Sequence, residues 1–452
     1  MYTKAFLFAI ALLPFTIFGQ SYFKKQDFLS AQQDAKQTNK LLFVQVPATD
    51  CDRCNTVAEI ALKDKNLSKY IQENCLPIKI DVASPEWSLI METHSLLFNY
   101  GTLIFSPAGN LLKVYAGSTT LPETYTNLIN AAKKNAKDEA YETLLKEYNN
   151  DTTNHQLLYK IIQRRSVTGL SSDSLLDRLT RIVPKDSLRS FSFIQFVLKQ
   201  YPYIGSAALF IIHKDDDLFK EAWYRMPQGE RGLINSRISS RSMGKAIRNK
   251  DLPYARALAT GRMRSNSNPR RGQEIYMEDV LLYYKGVKDT ANFVNTGRSY
   301  ADQYLMTVTV DSIHRRDSLM IAATLTATRK ADTIAYSKDS VRVLTTVRGG
   351  ATTIYYSVRL NDIAWQIYCT REDDYYLNKA LDYAKRAIEI NNFTPALMDT
   401  YARLLYKTGS KKEAIVWEEK AAALAAKQPE LPTTYKKVVK KMKADEIVTA
   451  ID

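Results

Sequence analysis

Cys51 and Cys54 are the residues whose type and spacing most directly specify chemistry in this sequence. A Cys-x-x-Cys pair lets two sulfurs meet across one helical turn. It can then cycle between dithiol and disulfide, Cys51 attacking as thiolate and Cys54 resolving the mixed disulfide. At a helix N-terminus such thiols face unpaired N–H groups and the positive end of the helix dipole, which favours the thiolate. Arg53 adds to that effect and Asp52 opposes it. Two other uses fit the same spacing: a fixed structural disulfide, and a metal-binding pair that Cys75 or His94 would have to join.

Little else in the chain competes as chemistry. The remaining cysteines, Cys75 at a helix-to-strand junction and Cys369 in a helical stretch, are expected to be buried and inert. His94, His155, His213 and His314 are scattered without ligand spacing, and neither a GxSxG nor a phosphate-binding glycine loop is present. No cofactor or metal is expected. Arg262, Arg264, Arg270 and Arg271 cluster among Ser, Asn and Pro, a pattern of a solvated inter-helix loop with an anion-binding patch as the sharper alternative. Tyr283–Tyr284 and Tyr375–Tyr376 suit either packing or the lining of a peptide groove.

The pair must be held by the elements around it. Phe28–Gln37 has helical spacing, and the apolar run 41–46 that follows reads as a buried strand leading directly to the Cys-x-x-Cys. Asn55–Lys63 and Leu67–Glu73 read as helices and Leu76–Val82 as a strand. Ser84-Pro85-Glu86 is an N-cap with proline at the first helical position. Strands at Thr102–Phe105 and Leu111–Tyr115 form a hairpin, and Thr120 with Glu123 has the spacing of a capping box for a helix ending near Asn135.

This order, with the pair placed after the first strand, resembles the thioredoxin superfamily. The resemblance rests on Asn39–Val44, Cys51-Asp52-Arg53-Cys54, Leu76–Val82 and Tyr100-Gly101-Thr102-Leu103-Ile104-Phe105, about a quarter of the chain. It implies an α/β thioredoxin-like domain over residues 20–136 with a redox-active Cys51–Cys54. The sequence departs from the family at three positions. Asp50 replaces the Trp before the first Cys, Gln45 replaces the buried acid that assists proton transfer, and Gly101 replaces the cis-proline that backs the pair. A cis bond before glycine costs ~3 kcal/mol, so a trans bond is expected at Gly101.

Beyond residue 136 the apolar spacing is helical. Segments 137–148, 157–165, 175–182, 191–199, 231–248, 252–260, 274–284 and 290–304 make a helical region, 137–328, of possibly degenerate repeats. Residues 329–358 read as a linker or β-hairpin, with a helix at Ile354, Val358 and Trp365 as the other option. Ala380 and Ala387 recur as Ala414 and Ala421, 34 residues later, which is the tetratricopeptide period. Residues 359–426 therefore resemble two tetratricopeptide-like repeats, and 427–452 a capping helix and tail.

Lys4 followed by the apolar run Ala5–Phe18 predicts a secretory signal peptide over 1–19, too short to span a bilayer comfortably. Export to the periplasm is the leading expectation, with the extracellular space second, and no stable membrane anchor is expected. The net charge is +15, of which +13 belongs to residues after 135. Such a balance suits an acidic protein partner or anionic surface, and export argues against nucleic acid. The sequence thus points to an exported thiol-disulfide oxidoreductase or redox partner whose helical repeats hold a client protein. The alternative is a non-catalytic envelope scaffold with an attenuated thioredoxin-like domain.

Overall fold

The computed structural model describes residues 22–49, 51–94, 96, 98–137, 141–332, 350–427 and 434–450, so the expected signal peptide lies outside the described residues. The chain divides into two compact units, one ending at Leu175 and one running Leu176–Asp452.

The first unit is built on a four-stranded mixed sheet. In chain order its elements are α1 (Phe28–Thr38), β1 (Leu41–Val46), α2 (Asp52–Leu62), α3 (Lys65–Asn74), β2 (Cys75–Lys79), α4 (Pro85–His94), β3 (Gly101–Phe105), β4 (Leu111–Tyr115), α5 (Pro122–Asn135), α6 (Tyr141–Asn150) and α7 (His155–Thr168). The strands lie in the order β2-β1-β3-β4. β1 pairs parallel with β2 and antiparallel with β3, and β3 pairs antiparallel with β4.

Every residue of β1 is buried, as a central strand covered on both faces should be. Alternation divides its side chains. Leu42, Val44 and Val46 join a core with Ala31 of α1 and Trp87 of α4, while Leu41 and Phe43 join Ala58 of α2, Ile71 of α3 and Ile129 of α5 on the other face. Asp27 caps α1 by accepting the Ser30 N–H at 2.9 Å, and Ser84 caps α4 by accepting the Trp87 N–H at 3.1 Å. The expected capping box at Thr120 does not form. Leu121 is the N-cap of α5 and makes no side-chain bond, and Pro122 starts the helix.

The boundary expected at residue 136 falls inside this unit. Asn135 donates to the Leu112 carbonyl at 2.8 Å, and Lys113 of β4 donates to the Val167 carbonyl of α7 at 2.6 Å. α7 is thereby tied to the outer strand. Gly169 ends it in the left-handed conformation, φ +98°, and Leu170 packs on the sheet core.

The second unit is helical throughout its described residues. Helices Leu252–Arg264 and Pro269–Gly286 pack as a hairpin, as do Ala351–Thr370 with Asp374–Ile390 and Pro395–Lys407 with Lys411–Ala425; Thr434–Lys443 covers the end. Ala380, Ala387, Ala402, Ala414 and Ala421 are all fully buried, so the small residues that recur in the sequence sit where neighbouring helices approach. Of the readings of 329–358, the linker or β-hairpin is corrected at both ends, and the other option, a helix through Ile354, Val358 and Trp365, is the one that forms. A helix runs Val310–Asp332, and Ala351–Thr370 is helical where a strand was expected at 353–358; residues 333–349 lie outside the described residues. Asp317 accounts for the second start. It accepts the N–H groups of Thr352 at 2.7 Å and Thr353 at 2.8 Å, capping the helix from outside its own segment.

Candidate functional site

β1 delivers the chain to the pair. Cys51 is the N-cap of α2, with its Sγ accepting the Cys54 N–H at 3.1 Å and its carbonyl accepting from Cys54 at 2.9 Å and Asn55 at 3.2 Å. The cysteines are joined as a disulfide with Cα atoms 5.2 Å apart, and both are half-buried. A half-buried sulfur at a helix N-terminus can be reached by another sulfur while its thiolate is favoured. Asp52 and Arg53 occupy the first turn of α2; their side chains, and Asp50, lie outside the described residues.

Asn55 is the positioning residue that sequence reasoning missed. Its Oδ1 accepts the Ala48 N–H at 2.8 Å, and its Nδ2 donates to the Ala48 carbonyl at 2.9 Å. This two-way clamp ties the β1–α2 loop to the second turn of α2. The available signal was an amide side chain directly after the second cysteine, capable of satisfying both groups of one loop peptide.

Gln45 and Thr102 lie on the face of the sheet that α2 covers. The alternation that sends Leu41 and Phe43 to that side sends Gln45 there too. Gln45 pairs in register with Thr102, whose hydroxyl donates to Gln45 Oε1 at 2.7 Å. Both side chains are buried. The amide oxygen therefore accepts from a neutral hydroxyl, and an amide, unlike a carboxylate, takes up no proton near neutral pH.

Gly101 is the register partner of Val46, at the end of the sheet from which the Cys51 loop departs. No cis peptide occurs among the described residues, so its bond is trans. Its φ is +146°, and a Cβ there would lie 2.2 Å from the Tyr115 carbonyl oxygen. Glycine is required at this position by both backbone conformation and the close approach of β4.

No protein-family model matches the chain, and no curated protein is significantly similar to it.

The other sequence candidates separate from the pair. Cys75 is buried beside Ile71 and Leu128, and burial pushes its thiol up to about 12, so it is protonated at neutral pH. Cys369 is corrected: it is exposed on its helix rather than buried. Among the described residues no three His, Cys, Asp or Glu side chains gather as a metal site. His94 packs edge-on against Phe105, with ring centroids 5.7 Å apart, and burial lowers its pKa.

The arginine cluster is corrected as well. Its members lie on helices rather than in a loop, and three of them have internal partners. Arg262 pairs with Asp279, Arg271 with Glu274 at 2.7 Å, and Arg270 donates to Thr307 at 3.2 Å. Tyr283 and Tyr284 are core residues, whereas Tyr375 is exposed and accepts from Arg298 at 2.6 Å. No helix among the described residues is long and apolar enough to cross a membrane.

Proposed function

We propose that the first unit is a thioredoxin-like module, exported to an oxidising compartment, that exchanges disulfides with a client protein held by the helical unit. The observation that carries this reading is the Cys51–Cys54 disulfide, set where β1 ends and α2 begins. The strand order β2-β1-β3-β4, with one parallel and two antiparallel pairings, supports it. In the helical unit the 34-residue recurrence of buried alanines supports tetratricopeptide-like hairpins as the client-holding part. An intramolecular disulfide suits the periplasm, to which residues 1–19 would direct the chain.

The reaction conserves electrons and atoms. In the reduced protein the Cys51 thiolate attacks one sulfur of a client disulfide, the client S–S bond breaks, and a client thiolate leaves. Cys54, on losing its proton, then attacks Cys51 Sγ and expels the second client thiolate. The client gains two electrons and the pair becomes the disulfide. The reverse sequence oxidises a client. Gln45 does not accept the Cys54 proton, so that proton passes to solvent or client, and the rate of the resolving step falls with it.

The Gln45–Thr102 bond is also what favours the second reading, an envelope scaffold whose thioredoxin-like module is catalytically idle. Cys54→Ser separates the two. A covalent adduct between Cys51 and a disulfide-bearing protein supports exchange, whereas partner binding unchanged in Cys51→Ser, Cys54→Ser and wild type supports the scaffold.

A further inference from the structure

The helical unit contains a cavity of about 450 Å³ that the dithiol chemistry does not use. One wall is a polar strip on the helix Gln228–Arg248: Asn235, Ser236, Ser239 and Ser240 follow each other at the spacing of one helix face. Facing it is the Arg262–Asp279 ion pair. Ile204, Met243, Leu258 and Leu282 add apolar surface between these polar groups, Met243 one turn after Ser239, Leu258 one turn before Arg262 and Leu282 one turn after Asp279.

Asp279 is the unusual member. It is only 4% exposed, and Arg262 contacts its Oδ1, yet nothing among the described residues donates to Oδ2. A buried carboxylate oxygen left without a donor is costly. Burial, opposed by Arg262, leaves its pKa raised to about 6. An occupant that donates a hydrogen bond to Asp279 removes that cost.

The charges select the class of occupant. Arg262 and Asp279 cancel, so neither an anion nor a cation is preferred over a neutral molecule. Three serine hydroxyls and an amide both donate and accept, which matches ligand hydroxyls that do the same. A pyranose ring combines apolar C–H faces with a rim of hydroxyls, and the lining likewise combines apolar and hydrogen-bonding side chains. We infer that the cavity between the Asn235–Ser240 strip and Asp279 is a binding site for a neutral polyhydroxylated ligand, a mono- or disaccharide by class. The assignment is independent of the Cys51–Cys54 reading.

Saturation-transfer NMR on the full chain tests it, with glucose, galactose, mannose, maltose and cellobiose as probes and glucuronate and glucosamine as charged analogues. The expected result is saturable transfer to at least one neutral sugar, stronger than to either charged analogue. Ser239→Trp, which places an indole in the middle of the polar strip, should abolish the signal. Ser236→Trp, at an exposed position of the same strip, provides a second occlusion if Ser239→Trp disturbs folding as judged by circular dichroism. Absence of saturable transfer to every neutral probe, preference for a charged analogue, or transfer that survives occlusion in a folded variant would overturn the inference.

Discussion

Glu418→Gln removes a titratable group buried inside the helical unit. Glu418 is fully buried on the helix Lys411–Ala425 beside Asp399; no donor among the described residues serves its carboxyl oxygens, so only a proton of its own can join it to that second acid. Arg403 lies between two acids. Its Nε donates to Asp399 at 2.7 Å and its Nη1 to the Thr449 carbonyl at 2.7 Å. One guanidinium balances one carboxylate. Burial, and then the Asp399 charge, outweigh the pull of Arg403, and the Glu418 pKa rises from 4.5 to about 9. The folded protein consequently holds a proton at Glu418 that the unfolded chain releases above pH 4.5. Stability from this group is complete below that value and is lost as pH rises toward 9. The limiting slope is ~1.4 kcal/mol per pH unit. Shared with Asp399, the loss between pH 5 and pH 8 is on the order of 2–4 kcal/mol. Glutamine carries an amide N–H₂ where the protonated acid carries its O–H, so the variant should unfold with a flatter pH profile and exceed wild type at pH 8. Urea unfolding followed by circular dichroism and tryptophan emission measures this; Trp365 lies 5.5 Å from the Arg403 guanidinium and reports locally. Parallel pH profiles for the two proteins would refute the assignment of a proton to Glu418.

Two further substitutions probe backbone devices. Gly101→Ala forces a Cβ into the left-handed region and against the Tyr115 carbonyl, and should cost at least ~1–3 kcal/mol, read as a lowered urea midpoint; an unchanged midpoint contradicts the geometry. Asp317→Ala leaves the Thr352 and Thr353 N–H groups without acceptors and should cost ~2–3 kcal/mol at pH 7. Burial alone would raise the Asp317 pKa, but the bonds from Thr353 and Thr352 hold it below 3.8. The stability it contributes is therefore present above 3.8 and is lost as pH falls through the lower folded value, so the variant and wild type should converge in strong acid.

The elements around the pair were legible because their signals are local. The β1 run, the Ser84-Pro85 cap and the hairpin Thr102–Tyr115 each announce themselves within a few residues, and each forms as expected. The extension of the first unit to Leu175 was not legible, because it depends on Lys113 and Asn135 reaching backbone carbonyls far along the chain. The helix Val310–Asp332 falls mostly within the helical region expected to end at 328, but its own bounds were not legible, for another reason. Of its side chains in the described part, Ile313 and Asp317 are buried, and one apolar and one acidic residue make no recognisable hydrophobic stripe. At the site, the positions of Cys51 and Cys54 followed from spacing, while the Asn55–Ala48 clamp and the Gln45–Thr102 bond needed three-dimensional register. The arginines of 262–271 are largely solvated, as their run suggests, but they sit on two helix ends rather than in a loop, and Arg262 and Arg271 also reach acids of the helix Pro269–Gly286, which the run itself does not show.

We propose that Cys51 and Cys54 exchange disulfides rather than merely brace a loop. Equilibration of the full chain against glutathione redox buffers, with the pair's oxidation state read by alkylation and mass spectrometry, tests it most directly. An exchanging pair gives a two-electron transition of about 30 mV per decade at a potential more positive than about −300 mV, abolished by either cysteine-to-serine change. A pair that stays oxidised throughout the glutathione range would contradict it and make the disulfide a structural bond.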